Sequence, residues 1–168
     1  MMIPVVVESV RMNLSNGQRV VILKDDKLER YLLIWVGLNE STAIALELQH
    51  EKAPRPLTAD LLKTVIDELG ARVLDVSVTD LSDDVFYARV GLQNAQGERL
   101  DIDARPSDAI ALAVRAGVPI YVEETILEGA AITPPTEQDD RLEVYRDFVN
   151  QLFEEGHTQG EGERRPDA

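Results

Sequence analysis

The chain has 168 residues and no cysteine, and its formal net charge is −14 at pH 7. The absence of cysteine excludes disulfides, thiolate metal sites and cysteine nucleophiles, and it suits a reducing cytosol. The excess of acids argues against tight non-specific binding to nucleic acid, because affinity for phosphate backbones comes mainly from Lys and Arg. No apolar run is long enough to cross a bilayer, and the first residues lack the pattern of a signal peptide. We therefore expect a cytoplasmic protein with no membrane partner.

The first half of the chain predicts three strands followed by two helices. Asn16-Gly17 is a strong hairpin-turn sequence between two loosely alternating segments. The apolar run at 31–36 predicts a third strand that is covered on both faces. Trp35 in this run is predicted to lie in the core, although a tryptophan at a strand end can also stack a base. A helix over about 39–50 follows, and a second helix is predicted by one apolar stripe: Leu61, Leu62, Val65, Ile66 and Leu69.

The second half predicts the same order of elements. Strands are expected at 72–79, 85–92 and 99–104, and the next helix begins at Pro106 or Ser107 and ends at Gly117. Because residues 109–114 are apolar on all sides, this helix is predicted to be buried at the centre of the fold. Residues 119–122 predict a short extra strand. We expect this strand or the first strand to form a sheet edge that can pair across a dimer.

The two halves share the signature Ser-x-Ala-Ile-Ala-Leu, at 41–46 and again at 107–112. If this match is an internal duplication, the chain is an α+β domain of two β3-α2 halves, about residues 4–70 and 71–133. These halves would form a mixed, barrel-like sheet around the buried helix. A chance match between common helix residues is the alternative. Beyond this domain, residues 134–154 predict a C-terminal amphipathic helix and residues 155–168 a disordered acidic tail.

The densest group of chemically active residues lies at 101–108. Asp101 and Asp103 alternate with apolar residues on a predicted strand, so both carboxylates project from one face, and Asp108 follows in the first helical turn. Three carboxylates near Arg105 form an oxygen-rich set that can hold Mg²⁺ or Mn²⁺ and clamp a phosphodiester. The sequence therefore predicts Asp101, Asp103 and Asp108 as metal ligands. Together with Arg105 they are also the predicted catalytic residues, gathered in one accessible hollow, and no organic cofactor motif is present.

A structural interpretation of the same residues stays open. Asp103 or Ser107 can cap the helix, and Asp108 can favour the positive end of the helix dipole. Asp101 can lie on a solvated strand face. Since Asp-x-Asp on a strand is a weak motif by itself, the pattern does not choose between the two interpretations.

Two arginines occupy stiff backbone positions near helix starts. Arg55 lies between two prolines, and Arg105 directly precedes one. A rigid guanidinium suits bidentate recognition of phosphate, so Arg55, Arg105 and Ser107 are the predicted substrate-binding residues. Arg55 can alternatively hold its own loop by pairing with a nearby acid. With no cysteine and two poorly placed histidines, a zinc enzyme is close to excluded.

Three segments, in this order, resemble a known family: Arg-Tyr-Leu-Leu-Ile-Trp-Val-Gly at 30–37, Pro-Arg-Pro-Leu-Thr-Ala-Asp-Leu-Leu at 54–62 and Ala-Arg-Pro-Ser-Asp-Ala-Ile-Ala-Leu-Ala at 104–113. Over approximately residues 5–131 the chain is similar to the bacterial and plant bifunctional nuclease domain. The resemblance implies an α+β fold of duplicated halves, homodimers or larger assemblies, and action on both DNA and RNA. It also implies that many relatives have a histidine where this chain has Ala59. If that histidine is a general base or metal ligand, this chain lacks it.

Two hypotheses for the function follow. The first is a divalent-metal-dependent nuclease of low activity, for which nucleic acid is a transient substrate. The second is a non-catalytic homo-oligomeric module that binds a small anionic ligand or a protein partner through the same arginines. The acidic charge and Ala59 favour the second, whereas the carboxylate group and the family resemblance favour the first.

Overall fold

The computed structural model describes residues 1–133, which form an α+β fold. The strands are β1 (Met2–Met12), β2 (Arg19–Asp25), β3 (Tyr31–Val36), β4 (Arg72–Ser82), β5 (Val85–Gln93), β6 (Arg99–Ala104) and β7 (Ile120–Glu123). The helices are α1 (Leu38–Leu48), α2 (Thr58–Glu68), α3 (Pro106–Ala116) and α4 (Glu124–Ala130). None of these helices is both long and apolar enough to span a membrane. The helix predicted at 134–154 and the tail predicted at 155–168 lie outside the described residues.

All of the strands belong to one mixed sheet of order β3-β2-β1-β7-β4-β5-β6. Two antiparallel three-stranded meanders, β1-β2-β3 and β4-β5-β6, lie side by side in it. The short strand β7 joins them, pairing antiparallel with β1 and parallel with β4. Its inward-facing residues Ile120 and Val122 are 6% and 0% exposed, so β7 packs into the core as well as closing the gap between the meanders.

Two expectations about the sheet are wrong. The sheet is not closed into a barrel, because within residues 1–133 its outermost strands, β3 and β6, do not pair with each other. The first strand and the strand at 119–122 are not sheet edges either, since β1 and β7 each have a neighbour on both sides. The strands that carry unpaired backbone groups are β3 and β6, and the Tyr31–Ile132 bridge partly occupies the free side of β3.

Each half begins with three antiparallel strands followed by a helix, α1 in the first and α3 in the second. The halves then differ, because α2 follows α1 whereas β7 and α4 follow α3. The second half therefore lacks a direct counterpart of α2 and has a strand instead. The internal duplication itself stays a prediction.

The central helix is α3, as its apolar sequence predicts. Pro106, Ser107 and every residue from 109 to 113 are buried, and α3 packs against α1, α2, β4 and β5. The helix ends at Gly117, whose φ of 65° is a left-handed conformation that glycine adopts without a Cβ clash. The charged residues of α3 are Asp108 in its first turn and Arg115 in its last turn.

One apolar prediction does not hold, and one apolar stripe is mostly exposed. Trp35 is not a core residue, because its side chain is 40% exposed while the alternate residues Leu32 and Ile34 face the core. Of the apolar stripe on α2, Ile66 alone is buried, and the other four residues are between 42% and 73% exposed. The periodicity correctly predicts a helix at this position, but Ile66 is the one residue of the stripe that is buried in the core.

Candidate functional site

An open pocket of about 870 Å³ lies between α1, α2 and α3 and the β5–β6 end of the sheet. Its floor and walls are mostly apolar: Ala43, Leu57, Leu62, Ile66, Val90, Leu92, Ala111, Leu112 and Ile102. Charged residues reach it from the first turns of two helices, Glu40 of α1 and Asp108 of α3, and from Arg105 directly before α3. A small number of polar groups above an apolar floor is the usual composition of a ligand site.

Arg105 connects these charged groups. It is the N-cap residue of α3 and has an extended backbone, since Pro106 occupies the first helical position. Its guanidinium donates to Asp108 from Nε at 2.8 Å and from Nη2 at 3.0 Å, and Nη2 also donates to Glu40 at 2.9 Å. The side chain therefore links the starts of α1 and α3 across the pocket rim.

The electrostatics of this triplet hold Arg105 in its charged form. The hydrogen bond to Asp108, and then the one to Glu40, raises the pKa of the Arg105 guanidinium, which stays protonated. The Arg105 side chain is 66% exposed although it has two acidic partners. An anion that reaches the pocket can therefore compete with two carboxylates for a cation that already points into solvent.

The predicted acids are separated by the fold. Asp103 and Asp108 line the pocket together with Arg105, whereas Asp101 is not among the lining residues. Asp101 instead accepts a hydrogen bond from Nε of Arg99 at 3.1 Å and forms an ion pair with Nη2 of the same residue at 3.0 Å. Asp101 therefore belongs to an ion-pair network on β4 and β6 rather than to the pocket.

The same network explains why a glycine lies beside Asp101. Arg99 binds Asp75 of β4 in a bidentate arrangement, at 2.8 Å and 2.9 Å, and its guanidinium crosses over Gly91 of β5. A Cβ at Gly91 would lie 2.5 Å from Nη2 of Arg99 and 2.6 Å from Oδ1 of Asp75. The register pairs Asp101 and Asp75 with Gly91 from opposite sides, which makes Asp101 a cross-strand partner in this network.

A three-carboxylate metal site is not assembled. Within residues 1–133 there is no group of three or more His, Asp or Glu side chains that could hold a metal ion. Asp101 is committed to Arg99, and Asp108 to Arg105. The donor set therefore does not fit an ion held by Asp101, Asp103 and Asp108, and metal binding stays a prediction.

The other predicted substrate-binding residues are separated from Arg105. Arg55 lines a smaller cavity of about 280 Å³, together with Asp60 and Arg115. Ser107 is 8% exposed and buried within the first turn of α3. The fold thus brings Arg105 to the main pocket, Arg55 to a neighbouring one and Ser107 into the helix interface.

Comparison with known proteins identifies the family. A sequence model described as "Bifunctional nuclease domain" matches residues 21–135. The chain belongs to this family. An uncharacterised protein of Mycobacterium tuberculosis (strain H37Rv) is 38% identical over 155 residues, which are 87% of this chain and 92% of the relative.

Plant relatives of this bifunctional nuclease domain are longer than the chain. "Bifunctional nuclease 1" of Oryza sativa subsp. indica is 30% identical over 132 residues, covering 76% of this chain and 40% of the relative. "Bifunctional nuclease 1" of Arabidopsis thaliana is 27% identical over 133 residues, covering 73% and 41%. The chain therefore spans about two fifths of these plant proteins.

Ala59 of this bifunctional nuclease domain lines the main pocket. It is the position at which the family resemblance implies a histidine in many relatives. The difference between this chain and those relatives at position 59 therefore lies in the same pocket as Arg105. Of the residues that line this pocket, none is histidine.

Sequence reasoning missed one residue of the pocket, Glu40, and one residue that connects the helices around it, Arg115. Glu40 lies 65 positions from Arg105, and no local pattern marks it as a partner. Arg115 is only 5% exposed and joins three helices: Nε donates to Asp60 at 2.6 Å, Nη1 to the Ala111 carbonyl at 2.8 Å and Nη2 to the Ala43 carbonyl at 2.9 Å. A lone arginine in an otherwise apolar helix was the available signal for Arg115.

Gly37 leaves room for Glu40 and gives a first prediction. The Glu40 carboxylate folds back to where a Cβ of residue 37 would be, so Gly37→Ala displaces Glu40 from its bond with Arg105. The backbone of Gly37, at φ −73° and ψ 170°, suits alanine. Gly37 is also the N-cap residue of α1, where glycine is preferred to alanine, so the cap offsets the gain of about 0.4–1 kcal/mol through the unfolded state, and the displaced Glu40 adds a loss.

A double-mutant cycle in urea measures this coupling. We expect Gly37→Ala to be destabilising in the wild-type background, and less so when Glu40 is already alanine. Equal effects of Gly37→Ala in both backgrounds would contradict the steric link.

Proposed function

We propose that this protein is a nuclease that hydrolyses phosphodiester bonds of DNA, RNA or both, with the pocket around Arg105 as its active site. Membership of the bifunctional nuclease domain family supports this activity. So does the similarity to plant proteins named bifunctional nuclease, which extends over 76% of the chain in the rice example. Arg105 is one of the four predicted catalytic residues. The proposal depends on it because it is the exposed cation at the pocket rim.

Arg105 binds a non-bridging phosphate oxygen in this proposal. The phosphate takes over donors that the Asp108 and Glu40 carboxylates accept in the free protein, and the guanidinium stabilises negative charge that develops on the phosphoryl group. One of the released carboxylates then orients a water and accepts its proton as the water oxygen bonds to phosphorus; the P–O ester bond breaks, and the proton passes to the leaving ester oxygen. Asp108 and Glu40 are therefore better placed for this role than Asp101, which Arg99 and Asp75 hold in the separate network.

The composition of the pocket agrees with low activity. No histidine lines it, so the proton acceptor of this proposal is a carboxylate, a weak base at neutral pH. Because the donor set does not fit a three-carboxylate ion site, we derive no step through Mg²⁺ or Mn²⁺. Whether cleavage needs either ion is an outcome of the assay.

Arg105→Ala is expected to lower the cleavage rate by about 100-fold, the usual loss when one donor to a transition-state anion is removed. Arg99→Ala is the matched control, because Arg99 also binds two carboxylates and is half exposed, but it lies outside the pocket. Initial rates on single-stranded DNA and RNA, each with Mg²⁺, with Mn²⁺ and with EDTA, measure the effect.

Three results would count against the proposal. Equal rates for the wild type and Arg105→Ala would point to a contaminating nuclease. Equal losses in Arg105→Ala and Arg99→Ala would remove the pocket as the site. No cleavage, combined with thermal stabilisation by an anionic metabolite that Arg105→Ala abolishes, would instead support a non-catalytic binding module.

A further inference from the structure

The main pocket carries more negative than positive charge, although Arg105 makes it the proposed phosphate site. Of the residues that line it, Arg105 is the one cation, whereas Glu40, Asp103 and Asp108 are acids. One positive and three negative charges give the lining residues a formal total of −2, in a chain whose net charge is −14. A phosphate that binds Arg105 therefore does so against the charge of its surroundings.

The helix starts around the pocket reduce this negative charge without reversing it. The starts of α1 and α3 each add about half a positive charge. Both helices already have an acid in the first turn, Glu40 in α1 and Asp108 in α3. The start of α2 is matched by Asp60, whose carboxylate accepts the Leu57 amide at 2.8 Å. The local charge where a phosphate would bind stays negative.

Two of the three acids are held beside Arg105. Glu40 accepts from Nη2 at 2.9 Å, and Asp108 accepts from Nε at 2.8 Å and from Nη2 at 3.0 Å. The Glu40 side chain is 23% exposed, and its carboxylate fills the space next to Gly37 that a Cβ would occupy. A carboxylate seated in this way stays close to any phosphate that binds Arg105.

Asp103 adds the third negative charge, near the end of β6. Its side chain is exposed at the pocket, and its neighbour across the sheet is Arg89 of β5. Among the described residues, Asp103 forms no ion pair with Arg89 or with any other cation. Its charge is therefore available to repel an anion in the pocket.

Internal and terminal phosphates of a nucleic acid differ in charge. An internal phosphodiester carries one negative charge, whereas a terminal phosphate carries about −1.5 to −2 near pH 7, because its second pKa is about 6. The additional charge of a terminal phosphate would be attracted by one guanidinium and repelled by three carboxylates. Repulsion of this kind lets a site discriminate between two ligands that make the same favourable contacts.

We propose that the acids of this pocket make the protein select internal phosphodiesters and reject terminal phosphates, so that it cleaves within a strand rather than from a phosphorylated end. Glu40 is the principal specificity residue, because it reaches Arg105 from a different helix. The same repulsion favours product release, since hydrolysis of a diester leaves a terminal phosphate. The inference rests on the proposed function, because it concerns the same pocket.

Two ligands that differ by one charge test the selection without any cleavage. They are thymidine 5′-monophosphate and its methyl ester, each titrated at low salt in a thermal-shift assay. We expect the wild type to bind the methyl ester about tenfold more tightly than the monophosphate. Glu40→Gln should reduce that ratio by about threefold, because it removes one of the repelling charges and keeps the size of the side chain.

Glu47→Gln is the matched control for this measurement. Glu47 lies on the same helix as Glu40, but it lines the smaller cavity. The substitution changes the net charge of the chain by the same amount as Glu40→Gln and should leave the ratio unchanged. Equal effects of the two substitutions would overturn the proposal, because the charge of the whole chain would then cause the preference.

A circular substrate tests the cleavage mode. Circular single-stranded DNA and the same sequence as a linear strand with a 5′-phosphate should be cleaved at comparable initial rates. Equal binding of the two ligands, binding of neither, tighter binding of the monophosphate, or cleavage that needs a free end would overturn the selection and leave nuclease activity to its own assay. A tenfold preference for the methyl ester without cleavage of either DNA would instead overturn the nuclease activity and leave the charge selection to a binding module.

Discussion

Replacing Asp25 with alanine is expected to lower the free energy of unfolding by about 3–5 kcal/mol, because it leaves a mostly buried guanidinium without its partner. The Asp25 side chain is 1% exposed, and one of its oxygens accepts from Arg30 Nε at 3.0 Å and Nη2 at 2.6 Å. The other accepts the Lys27 amide at 2.9 Å and the Leu28 amide at 3.3 Å. This carboxylate therefore holds the turn between β2 and β3, and urea denaturation measures its contribution.

The contribution of Asp25 should depend on pH. Burial by itself raises the pKa of the Asp25 carboxyl, but the hydrogen bonds from the Lys27 amide and the Arg30 guanidinium outweigh it and hold the pKa below its ordinary value. A lowered folded-state pKa gives stabilisation that is complete above the unfolded value, near pH 4, and is lost as the pH falls through the folded-state value. The stability difference between the wild type and Asp25→Asn should therefore narrow below about pH 4.

Asp26→Asn is the matched control for both measurements. Asp26 is the neighbouring acid in the same turn, and it is exposed. We expect its substitution to change stability by less than about 0.5 kcal/mol at any pH. If Asp25→Asn and Asp26→Asn were equally tolerated, the buried ion pair would not be what holds the turn.

Replacing Arg115 with methionine is expected to lower the free energy of unfolding by about 3 kcal/mol, because several charge-assisted hydrogen bonds disappear from a buried position. Methionine keeps the aliphatic stem but cannot donate to Asp60 or to the Ala43 and Ala111 carbonyls. Asp60 is 37% exposed, so water can partly replace its lost partner. The free energy of unfolding in urea measures the loss.

The Arg115 substitution should also act on the pocket. Arg115 connects α3 to α1 and α2, and all three helices form pocket walls. Arg99→Met is the control for stability, because Arg99 has two acidic partners but is 51% exposed, and its loss should stay within about 1 kcal/mol. Equal losses in the two variants would mean that the buried helix connection adds nothing beyond a surface ion pair.

The chemistry of the site was only partly predictable. The segment at 101–108 indicated Arg105 and Asp108, because both lie within one turn of a helix start that proline marks in the sequence. The alternation of Asp101 with Asp103 predicts that both carboxylates share one face of the strand. It does not show which neighbouring residue supplies a cation to each of them. Arg99 and Asp75 decide that, and Asp75 lies 24 positions from Arg99.

The covered surfaces were also beyond local prediction. The apolar periodicity at 58–68 predicts helix α2 correctly. The same periodicity does not show how much of the apolar stripe packs on the core. Trp35 is a comparable case, because an apolar run can be buried on both faces or on one. How many layers pack on an element depends on segments far away in the chain.

What the sequence determined by itself is the set of local elements: the hairpin at Asn16-Gly17, the alternating strands, and the apolar helix between Pro106 and Gly117. These depend on residues a few positions apart, whose spacing sets which side of an element is apolar. The tertiary structure alone decided that β7 enters between β1 and β4, that Glu40 meets Arg105, and that most of the α2 stripe is exposed within residues 1–133. Those outcomes depend on the free energy of contacts between distant segments, which no short stretch of sequence contains.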